Sequence, residues 1–201
     1  MGKLCFTHGV MGSSKSALAL MQAFDYTQKG FKVLTLKPSI DTREGLSIMK
    51  SRIGLSRPCI LFGQDANLEK LIRENSPAKV VIIDEVQFCT KEQIDQLKNL
   101  SLDEYTILCY GLKTNFRGEL FEGSKGLFEV ADEFHETEVV CRCGEKAIMN
   151  ARIVDGFVTT HGDEVQIGGD ESYEGLCFRC YKKYQNEKLP PRTPVEENKN
   201  K

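Results

Sequence analysis

Short apolar runs recur along the first 140 residues, separated by stretches in which apolar residues return every three or four positions. The runs predict five β-strands, at residues 3–8, 31–37, 79–84, 105–110 and 133–140. Between the first two, residues 16–29 carry Leu18, Met21, Ala23 and Phe24 on one helical stripe and stop at Gly30, a plausible helix C-cap. Residues 65–74 (DANLEKLIRE) and 90–98 read as two further helices, the second opening with Thr90 and Gln93 at capping-box spacing. Strands alternating with helices imply right-handed crossovers. The predicted fold class is therefore α/β, a parallel sheet with helices on both faces. Ligands of such sheets bind beyond the carboxyl ends of the strands.

After residue 140 the pattern changes. Long helical periodicity gives way to short segments punctuated by Gly144, Gly156, Gly162, Gly168, Gly169 and Gly175. The expected organisation is a main domain at 1–140, a small module at 141–188 and a polar, proline-rich tail at 189–201 expected to be disordered. Hydrophobic residues make up 40% and charged residues 28%, which fits a soluble globular chain. A net charge of −2 argues against a dominant electrostatic grip on nucleic acid. No apolar run is long enough for a bilayer, and the first residues lack a leader pattern, so the expectation is a cytoplasmic protein with no membrane partner.

The cysteines change the picture of the small module. Cys5, Cys59, Cys89 and Cys109 lie in apolar or near-strand contexts and read as core packing. Cys141-Arg142-Cys143 and Cys177-Phe178-Arg179-Cys180 have short pair spacings, better read in a reducing compartment as metal ligands than as disulfides. Four thiolates suit a closed, structural, tetrahedral Zn²⁺. The alternative is four free or buried thiols. His161 falls between the pairs, outside their spacing, and reads as a loop residue.

Candidate chemistry starts at Gly9-Val10-Met11-Gly12-Ser13-Ser14-Lys15-Ser16, between the first strand and the first helix. The octapeptide nearly matches the phosphate loop G-x-x-x-x-G-K-[ST]. In that loop backbone N–H groups cradle a triphosphate, the lysine reaches the β/γ-phosphates and the hydroxyl meets Mg²⁺. A helix N-terminus also favours an anion. Ser14 stands where the second glycine belongs, and in a left-handed conformation a serine there costs about 1 kcal/mol. By itself the segment has a plain alternative, a serine-rich turn.

The strand at 79–84 ends in Asp84-Glu85. In phosphate-loop enzymes the acid at this strand end assists Mg²⁺, so Ser16 and Asp84 would share the ion. Glu85 is then free to deprotonate an acceptor hydroxyl, an effect worth about 10²–10⁴-fold in rate. Two solvated acids are the alternative. Residues 110–118 (YGLKTNFRG) follow another strand, reach the same edge and suit a base pocket.

Taken together, these segments resemble the type II thymidine kinase family, which joins a phosphate-loop domain to a zinc-bearing lasso domain. The resemblance runs in order through about the first 185 residues: GVMGSSKS at 9–16, DTR at 41–43, SRIGLS at 51–56, DEVQF at 84–88, YGLKTNFRGELF at 110–121, both cysteine pairs and IGGDESY at 167–173. It implies transfer of the ATP γ-phosphate to the 5′-hydroxyl of thymidine or deoxyuridine with Mg²⁺, a homotetramer, and feedback inhibition by thymidine triphosphate. Residue by residue, it implies phosphate and Mg²⁺ contacts for Lys15 and Ser16, a metal-side acid at Asp84 and a general base at Glu85. Asp41, Thr42, Arg43 and Gln87 join the nucleotide site. Met11, Phe88, Leu112 and Phe116 line the thymidine pocket, with Phe116 stacking on the base, and Val165, Gln166, Ile167, Gly168 and Tyr173 belong to the lasso that closes over it. The chain departs from the family pattern at Ser14, which questions ATP affinity or turnover, and at Gly12 and Val86, where little effect is expected. Two other readings remain at this stage: a nucleic-acid-binding ATPase whose four cysteines form a zinc ribbon, and a catalytically weakened family member.

Overall fold

The structure, a computed structural model, describes residues 2–39, 47–75, 77–163 and 173–191. The chain runs β1 (Lys3–Gly9), α1 (Lys15–Gln28), β2 (Val33–Pro38), β3 (Ile48–Lys50), β4 (Ser56–Pro58), β5 (Ile60–Phe62), α2 (Leu68–Glu74) and β6 (Val80–Ile83). It continues with a 3₁₀ turn (Val86–Phe88), α3 (Lys91–Leu102), β7 (Thr106–Gly111), α4 (Glu122–Val130), β8 (Glu133–Thr137), β9 (Met149–Val154), β10 (Phe157–Thr159), β11 (Tyr173–Leu176) and α5 (Phe178–Lys183).

Six strands form one sheet in the order β5-β2-β6-β7-β1-β8, with every pairing parallel. The two-residue period of a strand sorts side chains to its two faces. Leu4 and Phe6 of β1, Val81 and Ile83 of β6, and Ile107 and Cys109 of β7 meet Leu68, Ile72, Ile94, Leu97, Leu100 and Leu127 from α2, α3 and α4. The alternate residues Cys5, Ile82, Leu108 and Tyr110 meet Ala19, Leu20 and Ala23 of α1. The α/β architecture with helices on both faces is therefore the observed one.

The elements differ from the sequence reading in instructive places. Helix α1 buries Ala17, Ala19, Leu20 and Ala23, while Leu18, Met21 and Phe24 of the helical stripe face outward. The small alanine face lets the helix lie close to the sheet. Strand β8 stops at Thr137, short of residue 140. There the chain leaves the sheet and makes a bridge between Val140 and Lys146 instead. Helix α2 starts only at Leu68, because the Asn67 side chain accepts the Lys70 N–H at 2.8 Å and caps it there. The predicted capping box of Thr90 and Gln93 is formed in both directions. Helix α4 escaped the sequence reading because Gly123 and Gly126 weaken its helical pattern. A Cβ at Gly123 would lie 2.4 Å from the Val86 carbonyl oxygen, so close packing on the 3₁₀ turn requires glycine.

The cysteine-bearing part forms an antiparallel sheet, β10-β9-β11, with α5 beside it. Its core gathers Cys141, Ala147, Met149, Ala151, Val158, Leu176, Cys177, Cys180 and Tyr181, and it includes Val10 from the phosphate loop. The strands β3 and β4 pair as a small hairpin. Among the described residues no helix is long and apolar enough to cross a membrane.

Candidate active site

The octapeptide 9–16 links the carboxyl end of β1 to the N-terminus of α1. Its first glycine is required sterically: a Cβ on Gly9 would lie 2.2 Å from the Thr137 hydroxyl oxygen and 2.5 Å from that of Ser13. Gly12 takes a φ of 80°. Ser14 adopts φ 61° and ψ 20°, the left-handed region, at the cap of α1. The substitution is thus accommodated with the glycine-like backbone intact and local strain retained. Lys15 is buried beneath the loop, its Nζ donating to the Val10 carbonyl at 2.8 Å and to the Ser13 hydroxyl at 3.2 Å. Burial pulls its ammonium down to about 8, against the opposing pull of Glu85 and Asp84.

The second part arrives on β6, two strands from β1 in the sheet order. Asp84 is buried and raised to about 7, first by burial and then by the neighbouring Glu85. The Ser16 hydroxyl, the Glu85 N–H and Lys37 act in the opposite direction. Ser16 and Asp84 are therefore brought together. Glu85, next in the chain, holds φ 54°, a left-handed conformation that non-glycine residues adopt at some energetic cost.

Gln87 has a more specific place than the sequence suggested. Its buried amide donates to Glu85 Oε2 at 2.6 Å, and its carbonyl oxygen accepts the Leu112 N–H at 3.0 Å. It thus ties the carboxylate of Glu85 to the loop after β7. Leu112 is further held by Ser124, whose hydroxyl donates to the Leu112 carbonyl at 2.6 Å. Phe88 meets Phe121 edge-on, with centroids 5.8 Å apart. Phe116 is 1% exposed and its ring faces the Arg152 guanidinium at 3.7 Å, so stacking on a base requires a local shift.

Met11 and Tyr173 border a common cleft of about 830 Å³, together with Gly12, Arg52 and Glu174. That is within the usual size of small-molecule sites. Asp41, Thr42, Arg43, Val165, Gln166, Ile167 and Gly168 lie outside the described residues.

Several residues that matter here were not singled out in the sequence. Asn150 of β9 accepts the Met11 N–H at 2.7 Å and donates to the Thr114 carbonyl at 2.7 Å, bracing the phosphate loop against the loop after β7. Tyr181 donates to the Phe116 carbonyl at 2.7 Å. Arg52 bears electrostatically on Lys15, and Lys37 on Asp84. Asn150 and Arg152 are polar residues at alternate positions of a strand whose other residues are mostly apolar. That pattern would have marked them as pointing toward something polar.

The sulfur atoms of Cys141, Cys143, Cys177 and Cys180 all lie within 4.8 Å of one another, with 3.6 Å between Cys143 and Cys177. A tetrahedral ion with bonds of about 2.3 Å sets its sulfurs about 3.8 Å apart, so the cluster fits Zn²⁺. Burial pushes the Cys180 thiol up to about 12, with the neighbouring thiols acting the same way. A divalent cation supplies the charge that lets four thiolates coexist.

Comparison with known proteins accords with this geometry. A family model described as thymidine kinase matches residues 2–181. A thymidine kinase of Legionella pneumophila (strain Philadelphia 1) is 42% identical, with 97% of this chain and 96% of the relative aligned. Those of Zymomonas mobilis and Photorhabdus laumondii are each 41% identical, covering 90% and 93% of this chain and 96% of their own lengths. With a match that spans nearly the whole chain, the protein belongs to the thymidine kinase family.

Proposed function

We propose that the protein transfers the γ-phosphoryl group of ATP to the 5′-hydroxyl of thymidine or deoxyuridine. The observation that carries this reading is the convergence of Lys15, Ser16, Asp84 and Glu85 at one sheet edge, beside a loop suited to a base. The backbone N–H groups of residues 9–16 and the Lys15 ammonium bind the phosphates, with Asp41, Thr42, Arg43 and Gln87 completing the nucleotide site. Ser16 and Asp84 would hold Mg²⁺, which supplies neutralisation of charge on the transferred group. Glu85 accepts the proton of the 5′-hydroxyl as its oxygen bonds to the γ-phosphorus and the bond to the β-phosphate oxygen breaks, leaving ADP. Gln87 orients Glu85 for that task.

Met11, Phe88, Leu112, Phe116 and Tyr173, together with residues 165–168, form the nucleoside pocket. Cys141, Cys143, Cys177 and Cys180 would hold Zn²⁺, which supplies a structural staple. The chain divides functionally into a phosphate-loop domain at 1–140 and a lasso domain at 141–188. It acts in the cytoplasm without nucleic acid or membrane as partner. It assembles as a homotetramer inhibited by thymidine triphosphate. The exposed apolar face of Leu18, Met21 and Phe24 on α1 supports contact between copies.

Radiolabelled thymidine incubated with ATP, Mg²⁺ and the zinc-loaded protein yields thymidine monophosphate on this reading. Failure of the wild-type protein to form any product would overturn it.

A further inference from the structure

Arg152 is 3% exposed, near the middle of β9, and registers with Thr159 on one neighbouring strand and Tyr173 on the other. Burying a guanidinium costs several kcal/mol unless its charge and its N–H groups find partners. Among the described residues no carboxylate pairs with it. Its partners are the Phe116 ring, 3.7 Å from Cζ; the Tyr173 hydroxyl, which accepts from Nε at 2.8 Å; and the Asp163 carbonyl, which accepts from Nη2 at 2.8 Å. The Tyr173 ring is also near, 5.3 Å from Cζ. Gly162 comes so close that a Cβ there would lie 3.0 Å from Nη1.

Arg117 repeats the arrangement from the exposed side. Its Cζ lies 4.8 Å from the same Phe116 ring, and it donates to the Thr160 carbonyl at 3.3 Å and to the Gly162 carbonyl. Two flat cations therefore fasten residues 160–163 to one aromatic ring. A guanidinium can stack on a ring face and send two N–H groups outward in its own plane, whereas an ammonium cannot do both.

We propose that Arg152 is a positioning residue of the nucleoside pocket, fixing the Phe116 ring, the Tyr173 hydroxyl and the Asp163 carbonyl in one arrangement from the cysteine-bearing sheet. The inference rests on the nucleoside-kinase reading above. It deepens that reading by assigning a role to a residue outside the family motifs. The partners set its content: two of them, Phe116 and Tyr173, belong to the proposed pocket, and none belongs to the phosphate loop. Its loss therefore acts on the acceptor nucleoside and spares ATP.

The test uses the full chain, zinc-loaded, as wild type and as Arg152→Lys and Arg152→Met. Both variants raise the KM for thymidine about tenfold or more, and the calorimetric Kd for thymidine in parallel, while the KM for ATP stays within about twofold. KM does not depend on the fraction of folded enzyme, so a merely structural role lowers the maximal rate and leaves this split unmoved. Tyr173→Phe, which removes only the accepting hydroxyl, gives a smaller rise of about threefold. A folded Arg152 variant whose thymidine KM stays within about twofold of wild type overturns the proposal, as does an equal rise for ATP. Should both Arg152 variants fail to fold, Tyr173→Phe and Arg117→Gln carry the test, and unchanged thymidine KM in both overturns it. Inactivity of the wild type toward thymidine would instead sink the kinase reading itself, and this one with it.

Discussion

Ser14 and Glu85 hold φ angles of 61° and 54°, so two non-glycine residues sit in the left-handed region at the two halves of one candidate phosphate-transfer site. Strain of this kind persists where the surroundings over-determine it. At Ser14 it is separable from function: Ser14→Gly should stabilise the fold by up to about 1 kcal/mol, read as a shift in urea midpoint at constant slope. A simultaneous large rise in turnover would show that the serine impairs the loop; unchanged turnover would show that it is tolerated. At Glu85 the strain sits on the residue proposed as the base. Glu85→Gln should lower kcat by about 10²–10⁴-fold while thymidine binding, measured by calorimetry, changes little. A nearly fully active variant would remove Glu85 as the base. The left-handed cost at Ser14 was legible because a known loop demands it at that position. The tie from Gln87 to Glu85 and Leu112 was not, since it joins residues 25 apart in sequence through a turn that only tertiary structure defines.

At the scale of elements, helix α1 shows how periodicity identifies a helix without settling which face is buried. The sequence offers two stripes, one of alanines with Leu20 and one of Leu18, Met21 and Phe24, and hydrophobicity alone prefers the larger residues. The sheet takes the alanines, because close approach to β1, β6 and β7 outweighs side-chain size. This leaves Phe24 61% and Met21 55% exposed in the isolated chain. Phe24→Glu should therefore leave far-UV circular dichroism and melting of the chain intact while reducing the assembled mass seen by light scattering. An unchanged mass would place the copy-to-copy contact elsewhere. The five principal strands were read correctly to within three residues at each end, since apolar runs mark them directly. The short strands β3, β4 and β5 were not, because three residues are too few for any period to show.

Across the whole molecule, the cysteine cluster is continuous with the octapeptide 9–16. Val10 belongs to the same apolar core as Cys141, Cys177 and Cys180. Stripping the metal with a chelator should release about one zinc per chain, measured colorimetrically, and should weaken ATP binding as well as thymidine binding. Retention of full ATP affinity by the metal-free protein would show that the two ends are mechanically independent. The cysteine spacing made the cluster itself legible from the sequence. Its coupling to the phosphate loop was hidden, because it depends on which face of β9 meets which loop.

Asn150 gives that coupling a practical meaning. One amide bridges Met11 of the octapeptide 9–16 and Thr114 of the loop after β7 from a strand beyond residue 140. The cysteine-bearing part is thus not a cassette that can be swapped between relatives at residue 140. A chimera that imports a foreign module without an amide at this position inherits a phosphate loop whose alignment the donor protein secured by other means. Transplants cut at residue 140 should fail more often than those that exchange residues 9–16 and the module as one unit.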